Sequence, residues 1–256
     1  MIVSPLKDPH NFACASALKK IIPKGGTVNV PLFFAGHLEL SLTSSGRRVR
    51  ALTNKYVVYE FWKCAFHDPH RIIKISQFLF ERRDSNMLYF LQEDWPTYRD
   101  PYLRSSLFFL LNRLSESGYQ SQGSLNYDNY NPIATNRLKK LSSQNLTLDL
   151  LSEENFLEPL QSRPQEEYIL IPAANFSYNL LEHGKSQGWE STLINHQHLR
   201  DFLKETDKRT VIVYKAHGAL GKFFEDFDKL YLTQYGIPTQ DPSQAAEVLI
   251  ANFRIT

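Results

Sequence analysis

Two short segments in the first quarter of the chain have the position of a nucleotide-binding site. The apolar run Thr27–Phe34 ends in Ala35-Gly36-His37, and the run Arg48–Leu52 ends in Thr53-Asn54. In a nucleotide-binding sheet, glycines after the first strand let backbone approach the ligand, and a carboxylate after the second strand binds the ribose hydroxyls. Here one glycine is present and the carboxylate is missing. The pattern fits either a weak nucleotide site or an ordinary strand–turn–helix connection.

A later segment, Leu170-Ile171-Pro172-Ala173-Ala174-Asn175, has the position of a loop that acts on a nucleobase. Methylation of an exocyclic amine needs acceptors that hydrogen-bond the amine and an aromatic ring that stacks on the flipped base. Asn175 is the one acceptor, and no carboxylate accompanies it. Phe176 and Tyr178 are close enough in sequence to stack. We predict that this loop does not catalyse amine methylation.

The remaining histidines and cysteines give little support to metal or thiol chemistry. The histidine pairs have ligand-like spacing but no third ligand in sequence, so no metal site is predicted. These pairs are His67 with His70, and His196 with His198. The two cysteines, Cys14 and Cys64, form no C-x-x-C motif, which favours a reducing, intracellular environment.

The elements that would position these segments alternate between strand and helix, which is typical of an α/β fold with a parallel sheet. Apolar runs predict strands at Thr27–Phe34, Arg48–Leu52, Glu167–Ile171, Thr210–Tyr214, Lys229–Gln234 and Val248–Phe253. Helical spacing predicts helices at residues 13–22, from Leu38, at Tyr56–Phe66 and around His198–Thr206.

The middle of the chain, residues 68–160, differs in character and is predicted to be an insertion. Arg104–Arg113 reads as an apolar helix, and Ser115–Pro132 as an exposed loop or ribbon. Tyrosines within that ribbon could stack on bases, and the cations after it could meet phosphates. These residues are Tyr119, Tyr127, Tyr130, Arg137, Lys139 and Lys140. Two further basic clusters are Arg47, Arg48 and Arg50, and Arg82 and Arg83. The alternative is that each cluster is a solvated surface.

Bulk composition sets broader limits. The 256 residues suit one large domain, or one domain with a smaller insertion, and 42% of them are hydrophobic. The net charge of +2 argues neither for nor against nucleic acid. The N-terminus lacks the pattern of a signal peptide, and no apolar run is long enough to span a bilayer. We therefore expect a soluble, cytoplasmic protein without membrane contact.

Read in order, the segments resemble the D12 class of DNA N6-adenine methyltransferases, the Dam-like family, and most of all its phage and archaeal branch. Ser4-Pro5-Leu6-Lys7 is similar to the family's N-terminal S-P-L-x motif. The stretch Val30–Leu40 is similar to its P-F-F-G-G-G-S-x-E-L motif, with Gly36 as the remaining glycine of the triplet. Thr53 stands at the position of the ribose-binding aspartate.

The resemblance continues to the C-terminus. Phe61-Trp62-Lys63 and Asp68-Pro69 match the next family helix and its end. Ser106–Gly118 is similar to A-x-F-F-x-x-N-R-x-S-F-S-G, the best-kept stretch. The family's D-P-P-Y falls on Pro172-Ala173-Ala174-Asn175, a complete replacement, and Glu247–Phe253 is similar to its closing E-V-L-I-T-N-Y.

The resemblance implies a Rossmann-like, doubly wound methyltransferase sheet built from residues 1–66 and 161–256, with a mainly helical recognition subdomain at 67–160. It also implies site positions, although both catalytic and cofactor positions are degenerate. The cofactor positions are Lys7, Pro31, Phe34, Ala35, Gly36 and Thr53, and the DNA-binding positions are Asn112, Arg113, Ser115, Ser117, Gly118, Tyr119, Arg137, Lys139 and Lys140.

Three hypotheses follow from the replacement of residues at the catalytic and cofactor positions. The first is a catalytically inactive homologue, without a cofactor, that binds double-stranded DNA or a protein partner such as an active methyltransferase through the insertion. The second is an active but diverged enzyme that uses S-adenosylmethionine, with Asn175 polarising the amine. The third is a structural component of a complex that reuses the fold without binding DNA. A virus or phage origin fits the resemblance.

Overall fold

A computed structural model describes residues 3–8, 10–82, 84–121, 124–151, 155–162, 164, 167–174, 176 and 194–255. The strands are β1 (Thr27–Val30), β2 (Arg48–Thr53), β3 (Leu146–Leu150), β4 (Tyr168–Ala174), β5 (Arg209–Lys215), β6 (Asp228–Leu232), β7 (Pro238–Thr239) and β8 (Glu247–Ala251). The helices are α1 (Ala15–Ile21), α2 (His37–Thr43), α3 (Tyr56–His67), α4 (Pro69–Glu81), α5 (Ser85–Asp94), α6 (Pro101–Leu114), α7 (Pro132–Lys139), α8 (Glu158–Gln161), α9 (His196–Glu205) and α10 (Leu220–Phe223).

The strands form one mixed sheet in the order β3-β2-β1-β4-β5-β8-β6-β7. Strands β1 to β5 are parallel, whereas β8 runs antiparallel to both β5 and β6. The strand order reverses at β1, which pairs with β2 on one side and with β4 on the other. The predicted α/β class and parallel core are confirmed.

The central strands are apolar because helices and loops cover both of their faces. Every residue of β4 and β8 is buried, and so are the five residues Thr210–Tyr214 of β5. The strands predicted from apolar runs in the second half of the chain therefore correspond to β4, β5, β6 and β8, with shifts of a few residues at their ends.

The first strand is shorter than the apolar run that predicts it. It ends at Val30 rather than Phe34, because Pro31 lacks a backbone donor and Leu32 adopts a left-handed φ of 62°. Phe33 is nevertheless fully buried, and its N–H donates to the carbonyl of Leu52 at 2.9 Å. The predicted strand was too long because the apolar loop residues that follow Val30 also pack into the core.

The predicted boundaries of the insertion also need correction. Leu146–Leu150 pairs in parallel with β2, so a strand of the main sheet lies inside the predicted 67–160 segment. The chain that leaves the sheet lies between α3 and β3 and holds α4 to α7. Strand β3 was missed because it is an edge strand with only two buried residues.

The helices of the insertion share the core of the sheet rather than building one of their own. Phe108 of α6 packs against Phe61, Trp95 and Phe34, with ring centroids 5.0, 5.5 and 6.1 Å apart. A smaller apolar cluster around Leu88, Leu110 and Leu114 lies beside this continuous core. The orientation of α6 is therefore fixed by contacts with the sheet domain.

Two Asp-Pro pairs explain where the long insertion helices begin. Asp68 accepts a hydrogen bond from the N–H of Arg71 at 3.1 Å, and Asp100 accepts one from Leu103 at 2.7 Å. Each proline that follows stands at the first helical position, where its missing N–H costs nothing. None of the helices in the described part of the chain has the length and apolar composition needed to cross a membrane.

Candidate functional site

The carboxyl ends of β1 and β4 are the place where this topology would hold a ligand. In open α/β sheets, ligands bind outside the carboxyl ends of the strands where the strand order reverses. Pro31–Gly36 follows β1 there, and Pro172–Ala174 ends β4. The chain therefore brings the two predicted segments, the glycine turn and the D-P-P-Y position, to one edge of the sheet.

Backbone strain is concentrated at this edge. Leu32 and Ala174 have φ values of 62° and 54°, and Asn11 nearby in the N-terminal segment has 44°. A left-handed conformation costs a residue with a side chain about 1–2 kcal/mol. A register shift between Pro172 and Ala174 disturbs the end of β4 as well. Such strain persists only where the surroundings enforce it, and it often marks a functional site.

The one retained glycine of the turn is required by packing. Gly36 has a φ of 74°, and a Cβ there would lie 2.8 Å from the Trp62 ring. The Trp62 indole donates to the carbonyl of Phe34 at 2.8 Å. The turn is thus held against α3 by a buried aromatic residue, whether or not a ligand binds.

The cavity at this edge is small. Its volume is about 30 Å³, which is room for one or two water molecules, whereas pockets for drug-sized ligands measure about 300–1,000 Å³. Phe34, which is 8% exposed, lines it and packs against Phe108.

The position expected to bind a ribose is also occupied by other contacts. Thr53 is 1% exposed, and its hydroxyl oxygen accepts a hydrogen bond from the N–H of Lys55 at 3.2 Å. The Thr53 hydroxyl caps the following turn. The family motif has at this position a carboxylate that would face the ligand.

Glu39 is a buried acid that the sequence reasoning did not single out. It lies in the first turn of α2, is 4% exposed and lines the small cavity with Asp8 and His37. Burial raises the pKa of Glu39 to about 7, and the negative charge of Asp8 adds to this effect. The signal available in the sequence was an acidic residue within the apolar stretch Leu38–Leu42.

The N-terminal motif packs on the turn after β1 but does not place Lys7 in the cavity. The hydroxyl of Ser4 donates to the carbonyl of Ala35, and His37 Nε2 donates to the carbonyl of Leu6 at 3.0 Å. Lys7 instead donates through Nζ to the carbonyl of Ser115 at 2.6 Å. Its predicted cofactor contact is replaced by a contact with the ribbon.

The structure describes part of the segment Pro172–Asn175, which corresponds to the D-P-P-Y motif. Pro172, Ala173 and Ala174 are buried, whereas Asn175 and Tyr178 lie outside the described residues. Phe176 packs against the rings of His196 and His217, at centroid distances of 4.7 and 5.4 Å. Phe176, one of the two rings that could have stacked on a base, therefore packs against these histidine rings.

The stretch Ser106–Gly118, which is most similar to its family motif, contains side chains that stabilise the fold. Asn112 is fully buried, accepts from the N–H of Lys7 at 2.7 Å and donates to the carbonyls of Lys7 and Gly118 at 3.1 and 2.6 Å. Ser115 is fully buried too, and its hydroxyl lies 3.0 Å from that of Ser117. Asn112 and Ser115 therefore position the ribbon and do not face solvent.

The ribbon itself is an antiparallel turn-back rather than an open loop. Ser115 pairs with Leu125, and the N–H of Asn126 donates to the carbonyl of Leu114 at 2.7 Å. Gly118 and Gln120 are buried whereas Glu116, Ser117 and Ser124 are exposed, so the predicted exposed loop or ribbon is exposed only in part. Polar side chains buried in a helix–ribbon junction were mistaken for surface residues.

Lys7 and Arg137 each interact electrostatically with Arg113, which lies near the junction of the ribbon and α7. Burial lowers the pKa of Lys7, and the positive charge of Arg113 lowers it further. Burial likewise lowers the pKa of Arg113, with a second contribution from the charge of Arg137. Arg113 Nε is buried without a hydrogen-bond partner among the described residues, and Nη2 reaches the carbonyl of Asn129 at 3.4 Å. We call these three residues the cation cluster.

Lys139 and Lys140 are exposed at the end of α7, and Tyr119 is half-buried on the ribbon. Glu116, whose negative charge acts to raise the pKa of Lys7, accepts a hydrogen bond from the hydroxyl of Ser124 at 2.7 Å. Of the predicted cations from 113 to 140, Arg113 and Arg137 interact with each other, and Lys7 interacts with Arg113.

The other basic clusters have structural partners. Arg47 is 4% exposed and donates to the carbonyls of Ile22, Lys19 and Ser45. Arg50 pairs with Glu167 at 2.9 Å, and Arg82 stacks on Phe78 at 4.2 Å. Arg83 lies outside the described residues.

The spaced histidines do not form a metal site in the described part of the chain. His67 Nδ1 lies 2.7 Å from the Tyr102 hydroxyl, and His196 Nδ1 lies 2.9 Å from that of Tyr214. No group of three His, Cys, Asp or Glu residues suited to a metal ion occurs among the described residues.

No protein-family model matches the chain, and no curated protein matches it.

Proposed function

We propose that this protein is a diverged relative of the D12-class DNA adenine methyltransferases that binds double-stranded DNA through its inserted helices and ribbon and does not transfer methyl groups. The proposal rests on the resemblance in motif order, on the β3-β2-β1-β4-β5 order of the parallel strands, which suits a doubly wound, Rossmann-like sheet, and on the chemistry of two surfaces.

The observation that carries the DNA-binding part is the cation cluster. Holding Lys7, Arg113 and Arg137 together costs energy because their like charges repel and two of them are partly desolvated. A phosphate placed beside them would offset that repulsion, and cations that contact phosphates fix a protein on the duplex. Lys139 and Lys140 add exposed positive charge at the end of α7.

The absence of methyl transfer is supported by the edge of the sheet. The cavity of about 30 Å³, the buried Thr53 and the ring contacts of Phe176 remove the space, the ribose acceptor and the stacking surface that the reaction requires.

The DNA-binding part is tested by electrophoretic mobility shift with a duplex of about two helical turns at low salt. We expect wild-type protein to shift the duplex and the triple variant Arg137→Ala/Lys139→Ala/Lys140→Ala to bind it much more weakly. A control triple variant, Lys74→Ala/Arg99→Ala/Lys222→Ala, removes the same charge at exposed positions outside the cluster. Equal binding by the two variants would contradict the assignment of this surface.

The catalytic part is tested by calorimetry with S-adenosylmethionine and by a methyl-transfer assay on adenine-containing duplex and single-stranded DNA. We expect no saturable heat and no transfer, because the cofactor does not fit beside Phe34. Binding together with turnover would overturn this part and favour an active enzyme that opens the cleft.

A further inference from the structure

Residues 4–8 cross from the turn after β1 to the inserted helices, and we call them the N-terminal strap. Within the described part of the chain, no backbone-to-backbone hydrogen bond holds these residues. At the sheet edge, the Ser4 hydroxyl donates to the carbonyl of Ala35, and His37 Nε2 donates to the carbonyl of Leu6 at 3.0 Å. The strap is therefore attached to this edge through side chains.

Lys7 attaches the strap to α6 and the ribbon. Asn112 Oδ1 accepts from the N–H of Lys7 at 2.7 Å, and Asn112 Nδ2 donates to the carbonyl of Lys7 at 3.1 Å. Lys7 Nζ donates to the carbonyl of Ser115 at 2.6 Å, and its charge interacts with that of Arg113. The position of the strap therefore decides whether Lys7 belongs to the cation cluster.

The next residue of the strap, Asp8, faces Glu39 across the small cavity between β1 and β4. Both residues line this cavity of about 30 Å³, and Glu39 is 4% exposed. The other titratable groups that line it are His10 and His37, and none of the described lining residues is a lysine or an arginine. The cavity therefore holds two acids beside each other without a permanent positive charge between them.

Charging both acids in this cavity is costly. Burial raises the pKa of Glu39 to about 7, and the negative charge of Asp8 adds to this effect. Moving the strap away from the turn would separate the two carboxylates and admit water to both. Segments that lack backbone hydrogen bonds to the rest of the fold open locally at a lower cost than global unfolding.

We propose that the N-terminal strap is a proton-controlled device, which stays closed while Glu39 is protonated and opens locally once Glu39 and Asp8 are both charged. Because the closed form holds the proton of Glu39 more tightly, opening becomes easier as pH rises towards 7 and levels off above it. Opening withdraws Lys7 from the cation cluster and so weakens DNA binding. This last consequence rests on the proposed DNA-binding function, whereas the movement of the strap does not.

Amide hydrogen exchange, measured by NMR at pH 5 and pH 8 and expressed as protection factors, tests the opening of the strap. The protection of the Lys7 N–H should fall at least about tenfold from pH 5 to pH 8 in wild type and change less than about twofold in Glu39→Gln. His10 and His37 are present in both proteins, so the difference isolates Glu39. Glu205→Gln, at an exposed position on α9, should behave as wild type.

A second variant tests the role of the facing acid. Asp8→Asn removes the repulsion but leaves Glu39 buried, so the fall in Lys7 protection should be smaller than in wild type. Amides of β5 should keep higher protection than the Lys7 N–H at both pH values, since the strap opens without global unfolding. Equal protection of Lys7 and the β5 amides, or the same pH dependence in wild type and Glu39→Gln, would each overturn the inference.

Duplex DNA binding at the same two pH values tests the link between the strap and the cation cluster. From pH 5 to pH 8 the affinity of wild type should fall about two- to fivefold more than that of Glu39→Gln, the scale of one exposed ion pair. Equal falls in two proteins that both bind DNA would overturn this link. No DNA binding by wild type would contradict the proposed function instead, and hydrogen exchange then decides on the strap alone.

Discussion

Gly36 shows how one residue serves the fold at a position where a ligand was expected. Its left-handed φ of 74° and the Trp62 ring 2.8 Å from a built Cβ both exclude a side chain. A glycine matched from a cofactor motif is therefore also explained by packing alone. Gly46 has a similar φ of 84° but nothing within 4 Å of its added Cβ, which makes it a matched control.

Gly36→Ala should destabilise the protein more than Gly46→Ala. Both variants carry the cost of a left-handed alanine, about 1–2 kcal/mol, and the contact with Trp62 adds about 1–3 kcal/mol of overpacking at position 36 alone. Urea unfolding followed by tryptophan fluorescence measures the difference. Equal free energies of unfolding for the two variants would show that Trp62 moves aside without cost.

Glu39 should make the stability of the protein fall as pH rises. The folded chain holds the proton up to about pH 7, whereas the unfolded chain releases it near pH 4.5. The unfolded state therefore binds fewer protons within this window, and the free energy of unfolding decreases from pH 4.5 to pH 7 and levels off above it. The size of the shift corresponds to a loss of about 3 kcal/mol.

Glu39→Gln tests this assignment because it keeps the shape of the side chain and removes its titration. Urea unfolding at pH 5 and pH 8 should show that the variant loses less stability than wild type over that interval. The same pH dependence in both proteins would mean that Glu39 is not the residue responsible.

Residue-scale roles were the hardest to predict from the sequence. Gly36 was identified from the motif, and two of the predicted cations, Arg113 and Arg137, interact electrostatically. The burial of Asn112 and the direction of Lys7 could not be predicted, since both depend on contacts between residues more than 100 positions apart. A polar residue type in the sequence does not show whether the side chain is buried and positions other residues or lies on the surface and contacts a ligand.

At the scale of elements, α6 connects the sheet domain to the insertion. Glu60 of α3 and Arg104 of α6 form a bidentate ion pair in which both side chains are largely buried, 8% and 13% exposed. Arg104 also donates to the carbonyl of Tyr98. This pair fixes the rotation of α6 and, with it, the position of Asn112 and the cation cluster.

Glu60→Ala should therefore destabilise the protein by about 3–5 kcal/mol, since it leaves a buried guanidinium without a counter-charge. Arg71→Ala, which breaks an ion pair with Asp100 whose side chains are 51% and 49% exposed, should cost less than about 1 kcal/mol. Thermal unfolding of both variants measures the contrast. A small effect of Glu60→Ala would show that apolar packing alone orients α6.

Most elements could be predicted because their apolar patterns are strong. The runs that became β4, β5 and β8 are fully or almost fully buried strands, and Tyr56–Phe66 corresponds to α3. The exceptions have physical causes. Apolar loop residues at Phe33 and Phe34 extend the apparent first strand, and β3 at the sheet edge lacks a continuous apolar run.

At the scale of the whole molecule, the two surfaces described above are distinct. The edge between β1 and β4 is strained and has a small cavity, and the cation cluster lies where the insertion meets the N-terminal segment. The fold class could be predicted from alternating strands and helices, whereas the size of the cavity between β1 and β4 could not.

The salt dependence of duplex DNA binding, measured by fluorescence anisotropy, tests the central claim most directly. Because phosphate contacts release counterions, each contributes about −0.9 to the slope of log K against log salt. We predict a slope of roughly −3 or steeper for wild type and a reduction of about one for each cation removed in Arg137→Ala/Lys139→Ala/Lys140→Ala. No binding by wild type at low salt, or an unchanged slope in the triple variant, would contradict the account.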